Sequence, residues 1–288
     1  MTEEVGRTRK GKRNAQAYAR NRGGSRLLYA FGRLLAAAVL RSWFRVRVSG
    51  AQEIPSDGPV ILAPNHKNVL DPCFIGIATR RRVRFMAKAE LFRGPLAWPL
   101  VRLGAFPVRR GESDAEAVAT AATILRAGGI VVLFPEGTRV EQPDALGSPR
   151  HGAGRLSTET GAPIVPTAIT GTSHLWRGAL PKLKRVQITF LPPVEPEPRV
   201  AGHDPASELI DDRVWPAVQE EYGRLLARPG LIAAALAGAG IGGGLVARRR
   251  RHTSRKPRPV GKVDPRRLRP RRARRRRLEW PRVPRLPR

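Results

Sequence analysis

The fold of this chain is decided by the stretch Pro59-Val60-Ile61-Leu62-Ala63-Pro64-Asn65-His66-Lys67-Asn68-Val69-Leu70-Asp71-Pro72. Its apolar first half predicts a buried strand, and its polar second half begins where that strand ends. Proteins of the α/β class carry their chemistry at the carboxyl ends of strands. The stretch therefore offers a histidine and an aspartate, His66 and Asp71, at a position suited to catalysis.

The five-residue spacing of His66 and Asp71 excludes a contact on a regular helix, where their side chains would point roughly 140° apart. A turn could instead fold the carboxylate back onto the imidazole, with Pro72 restricting Asp71 to an extended backbone. The carboxylate would then fix the histidine tautomer and stabilise the protonated ring. On these residues alone, a polar turn with a structural histidine is the simpler alternative.

Apolar runs that alternate with helix-like segments predict an α/β fold, with a mainly parallel sheet flanked by helices. The strongest run, residues 130–134, is apolar throughout, as expected of a strand buried on both faces. Ser113 and Glu116 form a capping box that opens an alanine-rich helix, and Gly128 ends it. Further strands are predicted at 83–86, 164–169 and 185–191, an extended segment at 104–108, and helices at 95–103 and 204–228.

The large positive charge of the chain is concentrated at its C terminus. Residues 248–288 hold 20 lysines and arginines against two acids, and so contribute +18 of the net +31. This Arg- and Pro-rich segment predicts a disordered tail, and its charge says little about the folded core. Nucleic-acid binding through the tail is an alternative function, but the interleaved aromatic residues of single-strand binders are absent, since Trp280 stands alone.

Composition divides the chain into four segments: a basic disordered leader at 1–25, the main domain at 26–228, an apolar Gly- and Ala-rich segment at 229–247, and the tail at 248–288. Arg26 to Val46 predicts an amphipathic helix, suited to a membrane interface beside anionic lipid. The alternative is a helix that packs on the core and exposes a basic face. The segment 229–247 is short for a membrane span, which favours a surface or flexible segment.

The cysteine and histidine content argues against disulfide and metal chemistry. The single cysteine, Cys73, excludes an internal disulfide, and its apolar neighbours predict a buried structural thiol rather than a nucleophile. The histidines outside the first stretch are scattered, without the spacing of metal ligands. We therefore expect neither a metal nor another cofactor.

Charged residues follow several of the other predicted strands. Lys88 follows the strand at 83–86, Arg109 and Arg110 follow the segment at 104–108, and Phe134-Pro135-Glu136-Gly137-Thr138-Arg139 follows the strongest apolar run. Each block alone also fits a solvated charge pair or a loop ion pair. Together they gather a base, an orienting acid and several cations at strand ends, which suits an anionic substrate whose hydroxyl is activated.

In this order the blocks resemble the four motifs of the 1-acyl-glycerol-3-phosphate acyltransferase family of glycerolipid acyltransferases, over residues from about Val48 to Pro193. The four motifs are His66 with Asp71, Phe106 to Arg110, Phe134 to Arg139, and Val165-Pro166. Two departures, Asn68 in place of a common serine and Arg109 in place of a common aspartate, leave the acceptor open.

The resemblance implies acyl transfer from acyl-CoA or acyl carrier protein to the free hydroxyl of 1-acyl-glycerol-3-phosphate, which forms phosphatidic acid. It implies His66 as general base and Asp71 as its orienter. It also implies acceptor and acyl-chain sites built from Lys88, Arg110, Glu136, Gly137, Thr138, Arg139 and, in the acyl wall, Pro166. We expect an enzyme at the cytoplasmic face of an anionic membrane. Another lysophospholipid or a glycolipid as acceptor is the alternative within the family.

Overall fold

A computed structural model describes residues 17, 26–92, 97–109, 114–177, 180–197 and 204–227. The remainder of the leader, the segment 229–247 and the tail 248–288 lie outside the described residues, so the predictions for them stay predictions. The same holds for Ser113 of the capping box and for the site candidate Arg110.

The described residues form seven α-helices and nine strands. The helices are α1 Arg26–Trp43, α2 Asp71–Ala78, α3 Ala97–Arg102, α4 Ala115–Arg126, α5 Gly152–Thr160, α6 Pro205–Glu208 and α7 at 215–227. The strands are β1 Arg45–Ser49, β2 Val60–Pro64, β3 Val83–Lys88, β4 Ala105–Val108, β5 Ile130–Val132, β6 Ile164–Thr170, β7 Trp176–Arg177, β8 Leu180–Pro181 and β9 Arg185–Phe190. Short 3-10 helices lie at Ala51–Glu53 and Ala89–Phe92, and a π-helical segment, Leu209–Val214, joins α6 to α7.

Seven strands form one sheet in the order β1-β9-β6-β2-β5-β3-β4. Its strand pairs are parallel except for β6 with β9, which confirms the prediction of a mainly parallel sheet. The predicted central strand, β2, pairs with β5 on one side and with β6 on the other. All five of its residues are buried, as expected for a strand covered on both faces.

Alternate side chains of β2 belong to two separate hydrophobic cores, because successive residues of a strand point to opposite faces of the sheet. Val60 and Leu62 pack with residues of α1 and α2, whereas Ile61 and Ala63 pack with residues of α4, α5 and the π-helical segment. Helices therefore cover both faces of the sheet, as an α/β architecture requires.

The crossovers change direction between β2 and β5. From β2 the chain crosses to β3 by way of α2 on one face, and from β5 it crosses to β6 by way of α5 on the other. Neighbouring strands whose crossovers leave in opposite directions open a crevice at their carboxyl ends, where α/β proteins bind ligands. His66 follows β2 and Glu136 follows β5, so both lie at this crevice.

Several local details differ from the sequence-based expectations. Asp114 caps α4, since its carboxylate accepts from the backbone N–H of Ala117. The apolar run 130–134 forms a strand only as far as Val132. The predicted helix at 204–228 contains a π-helical segment just before Pro216, a residue that has no N–H for a regular helix. Strand β1 and helix α5 were not expected.

Helix α1 combines both interpretations of its amphipathic sequence. Tyr29 and Leu40 are buried against the domain, which confirms a packed face. The side chains that point away are also apolar rather than only basic: Leu27, Phe31, Leu34, Leu35 and Val39 are exposed. Such an outward apolar stripe is the surface that a membrane interface would cover. No helix among the described residues has both the length and the apolar character needed to span a membrane.

Candidate active site

The side chains of His66 and Asp71 are in contact. His66 Nδ1 lies 2.9 Å from Asp71 Oδ2, and the same oxygen accepts from the backbone N–H groups of Lys67 and Asn68, each at 2.7 Å. The backbone conformation that allows this contact differs from the expected one. Asp71 is the first residue of α2 rather than an extended residue, and its carboxylate lies beside the free N–H groups of the loop that precedes the helix.

These contacts define the tautomer of His66. A carboxylate oxygen that already accepts two backbone hydrogen bonds can only accept from Nδ1, so Nδ1 carries the hydrogen and Nε2 is the acceptor. The ring stacks on Phe134, with centroids 4.1 Å apart, and the residue is only 4% exposed. His66 is therefore held in one orientation with a basic nitrogen available, which is the arrangement of a general base.

The buried side chain of Glu136 joins two loops. Its Oε2 accepts from the backbone N–H of His66 at 2.7 Å, and its Oε1 accepts from the N–H of Gly147 at 2.9 Å. Burial raises the pKa of Glu136, although these two hydrogen bonds oppose the shift. Both oxygens thus accept hydrogen bonds from the protein backbone, and the expectation that this side chain helps to hold the acceptor phosphate stays a prediction.

A buried lysine next to the histidine holds the loop that follows Arg139. Lys67 Nζ donates to the carbonyl of Gln142 at 2.7 Å and to that of Ala145. The hydroxyl of Tyr222 on α7 donates to Pro143 in the same loop, and the Lys67 ammonium lies 5.4 Å from the Tyr222 ring. Burial lowers the pKa of Lys67 and raises that of Tyr222 to about 12. Sequence reasoning missed both residues.

Two cavities meet at His66. The larger, of about 400 Å³, lies between α1, α2 and strand β3. Its walls are mostly apolar and include Tyr29, Gly32, Ile77, Phe85 and Leu103. The cations Lys88 and Arg139 also line it, as does Arg33 of α1. The structure therefore brings two of the predicted binding residues to the same cavity as the proposed base.

The smaller cavity, of about 250 Å³, lies on the other side of His66 and contains two more arginines, Arg109 and Arg150. Gly137 also lines it, with φ of +68°, and a Cβ there would lie 2.9 Å from Arg150 Nε. The glycine thus lets the guanidinium lie against the loop backbone. Arg150 was not predicted, since its one sequence signal is a position two residues before helix α5.

The remaining candidates take up different positions. Lys88 ends β3, and its half-exposed ammonium lies 3.8 Å from Glu90. Thr138 is exposed in the loop after β5. Pro166 is buried inside β6, beside Ala63, and lines neither of the cavities that open on His66. Pro166 was expected in an acyl-binding wall, but it does not contribute to the wall of either cavity.

Cys73 differs from the expectation of a buried thiol. It is exposed and lines the larger cavity one turn of α2 before Ile77. Its apolar surroundings, and secondarily the Asp71 carboxylate, raise the pKa of the thiol. The group is thus a weak nucleophile at neutral pH, in line with the sequence-based view, but reagents can reach it through the cavity.

Comparison with known proteins finds similar sequences and a similar structure. The model of the acyltransferase family matches residues 45–170, which include β2, the His66–Asp71 pair and the loop of Glu136. The crystal structure of the 1-acyl-sn-glycerophosphate acyltransferase from Thermotoga maritima superimposes with a TM-score of 0.53 at 26% identity, covering 63% of this chain and 72% of that one.

Two relatives are named for the same reaction. The chloroplastic 1-acyl-sn-glycerol-3-phosphate acyltransferase of Arabidopsis thaliana is 27% identical over 147 residues, half of this chain and 41% of its own length. The Bacillus subtilis 1-acyl-sn-glycerol-3-phosphate acyltransferase is 31% identical over 130 residues, 44% of this chain and 64% of its own length. The chain thus spans less than two thirds of either relative. In its motifs, its fold and these likenesses, the chain is similar to the 1-acyl-glycerol-3-phosphate acyltransferase family.

Proposed function

We propose that the protein transfers a fatty acyl group from an acyl thioester to the free hydroxyl of 1-acyl-glycerol-3-phosphate, which yields phosphatidic acid. One observation carries this proposal: His66, oriented by Asp71, lies where a large, mostly apolar cavity meets a smaller cavity that contains Arg109 and Arg150. An acyl chain suits the first environment and a phosphate suits the second. The names of the relatives support the same reaction.

The chemistry needs no protein nucleophile. Nε2 of His66 takes the proton of the acceptor hydroxyl as its oxygen attacks the thioester carbonyl carbon. The Asp71 carboxylate stabilises the imidazolium that forms, and the carbon–sulfur bond then breaks as His66 returns the proton to the leaving thiolate. The products are the new ester and a free thiol, so the enzyme ends in its starting protonation state.

The acyl chain of the donor is assigned to the larger cavity. The α1, α2 and β3 side chains that form its walls offer an apolar chain an environment away from water. Either acyl-CoA or acyl carrier protein can present such a chain, because both attach it through the same thioester. The choice of donor therefore depends on contacts outside the cavity.

The acceptor phosphate is assigned to the guanidinium groups that flank His66. Arg139 approaches from the larger cavity, and Arg109 and Arg150 approach from the smaller one. Planar guanidinium groups bind phosphate through paired hydrogen bonds and keep their charge at all relevant pH values. Asp114 lies 3.8 Å from Arg109 and orients this group without closing the cavity to an anion.

For this reaction the enzyme would lie at the cytoplasmic face of a membrane. The exposed apolar stripe of α1 offers a surface for the bilayer, from which a lysophospholipid would enter. The thioester donors are water-soluble, so the opposite side of the site must stay open to the cytosol.

An acyl-transfer assay over a panel of acceptors tests the proposal. Purified protein is given acyl-CoA or acyl carrier protein with lysophosphatidate, other lysophospholipids or a glycolipid, and His66→Ala protein serves as the blank. We expect the highest kcat/KM for lysophosphatidate. A higher kcat/KM for a lysolipid without a phosphomonoester would reassign the acceptor, and turnover by the blank would remove His66 from the mechanism.

A further inference from the structure

A third cavity, of about 720 Å³, lies where strands β1 and β9 begin. Of the described residues that line it, four are cations and none is an acid. The cations are Arg41, Arg45, Lys184 and Arg185, and we call this cavity the basic cleft. The proposed acyl transfer uses none of these residues.

Two cations of the basic cleft are placed side by side. Arg45 and Arg185 are register partners in the parallel pair of β1 and β9, so their side chains share one face of the sheet, and both are exposed. Like charges at such positions repel each other and destabilise a sheet. In the described part of the chain, no ion pair joins either guanidinium to a carboxylate. An anion bound between them would remove this repulsion.

A third cation strengthens the positive potential of the cleft. Lys184 also lines the cleft, and its Nζ donates to the carbonyl of Ser173 at 2.7 Å. Burial, and secondarily the charge of Lys182, lowers the pKa of Lys184. The forked guanidinium groups of the two arginines match the oxygens of a phosphate.

The rim of the cleft is apolar and exposed. Trp43 and Leu183 line the cleft but are 43% and 76% exposed, and Leu180 nearby is 67% exposed. The indole N–H of Trp43 donates to the carbonyl of Pro181 at 3.0 Å, which ties the end of α1 to the hairpin of β7 and β8. Exposed Trp and Leu beside basic residues are typical of a surface at the membrane–water interface. A water-soluble phosphate carrier would leave these apolar side chains uncovered.

We infer that the basic cleft binds the phosphate of an anionic phospholipid at the membrane interface, apart from the acceptor site around His66. Strand β1 lies three strand spacings from β2, which is roughly 14 Å. Because β9 runs antiparallel to β6, the cleft opens at the same end of the sheet as His66. A lipid held there is not acylated, and it keeps the active site at an anionic membrane surface.

A matched pair of charge variants tests this inference. Arg45→Gln/Arg185→Gln removes two cations from the cleft. Arg47→Gln/Arg80→Gln removes two exposed cations outside it, one of them on the same strand as Arg45. Both full-length proteins keep the basic tail, so the difference between them reports on the cleft. The probes are vesicles of phosphatidylcholine alone and of phosphatidylcholine mixed with phosphatidylglycerol, with binding measured by flotation.

We expect Arg45→Gln/Arg185→Gln, the cleft variant, to bind the mixed vesicles roughly 30-fold more weakly than the parent protein, since each cation near an anionic leaflet contributes about 1 kcal/mol to binding. Binding of the Arg47→Gln/Arg80→Gln variant to the mixed vesicles should be weaker by less than about threefold. Thermal unfolding serves as the folding control, and the cleft variant should melt at or above the parent temperature because the repulsion is gone. Equal losses in both variants would mean that only net charge matters, and would overturn the inference.

Trp43 provides a readout at the site itself. Phosphatidylglycerol with brominated chains should quench Trp43 fluorescence more than brominated phosphatidylcholine does, with Trp43→Phe protein identifying the Trp43 signal. The cleft variant should lose this headgroup preference. Equal quenching by the two lipids in the parent protein would contradict a phosphate site. A raised KM for acyl-CoA in the cleft variant, with vesicle binding intact, would assign the cleft to the phosphates of the donor instead.

Discussion

The carboxylate of Glu136 accepts a hydrogen bond of 2.7 Å from the backbone N–H of His66, which is 70 residues earlier in the chain. The other oxygen of Glu136 holds Gly147, eleven residues further on. A single buried side chain thus joins the segment after β2 to both ends of the loop after β5. The position of the proposed base depends on this residue.

Replacement of Glu136 should therefore affect kcat rather than acceptor binding. In Glu136→Gln the amide keeps one acceptor oxygen but turns an NH₂ group toward the second backbone N–H. The loss of a hydrogen bond to a charged group costs about 1.5–3 kcal/mol, which corresponds to a roughly 10- to 100-fold lower kcat if the histidine moves. Steady-state kinetics with varied acceptor measure this, and acceptor KM should change less than about threefold.

Glu141→Gln is the matched control, because Glu141 is exposed in the same loop. It should have kinetics close to those of the parent. A large increase in acceptor KM for Glu136→Gln with kcat unchanged would instead support direct contact with the acceptor phosphate.

A second prediction concerns the His66–Asp71 pair. His66→Ala should lose acyl transfer to the rate measured without enzyme, because the acceptor hydroxyl then has no base. Asp71→Asn should lose most of kcat, since an amide cannot stabilise the imidazolium and its NH₂ conflicts with the N–H groups of Lys67 and Asn68. Circular dichroism and thermal unfolding should accompany the assays. A folded Asp71→Asn protein with parental kcat would show that the observed contact plays no part in turnover.

Local sequence patterns predicted the central sheet and, as one of two alternatives, the contact between His66 and Asp71. The apolar runs of β2 and β6 predict buried strands because a strand covered on both faces carries apolar residues throughout. His66 lies in the short loop after β2 and Asp71 begins α2, so their contact depends only on residues close in sequence.

Features that depend on distant residues could not be predicted in the same way. The role of Glu136 requires knowledge that β5 lies next to β2, which no local pattern supplies. Arg150 comes to the site through the path of a loop, and Lys67 is held by carbonyl groups of that loop and by the ring of Tyr222. The strand β1 was missed because its alternation of arginine and valine is short and because the helix predicted from Arg26 was extended to Val46, whereas α1 ends at Trp43.

Arg139 and Arg150 allow a third prediction, about the acceptor phosphate. Arg139→Ala and Arg150→Ala should each raise the KM for lysophosphatidate by roughly 10-fold or more, with little change in donor KM, because each removes a charged partner of the phosphate. Arg155→Ala is the control, since Arg155 is exposed on α5 and lines neither cavity. Equal increases in donor and acceptor KM for Arg150→Ala would point to a structural role in the loop.

Alkylation of Cys73 gives a prediction that depends on pH. Maleimides react with the thiolate, and the raised pKa leaves a smaller thiolate fraction at neutral pH than in a free cysteine. The rate should therefore be low at neutral pH and should rise by about tenfold per pH unit until the pH reaches the raised pKa. Mass spectrometry follows the modification, and unfolded protein provides the rate of an ordinary thiol.

The same cysteine tests where the acyl chain lies. Because Cys73 is the one cysteine of the chain and lines the larger cavity, a long-chain acyl-CoA bound there should block its alkylation. His66→Ala protein is used, so that the donor is not consumed, and Cys73→Ala protein gives the background. Acetyl-CoA carries the same nucleotide but a chain too short to fill the cavity, and it should protect weakly or not at all. Equal protection by acetyl-CoA and the long-chain thioester would show that the carrier, rather than the chain, covers Cys73, and the acyl chain would then have to occupy another part of the site.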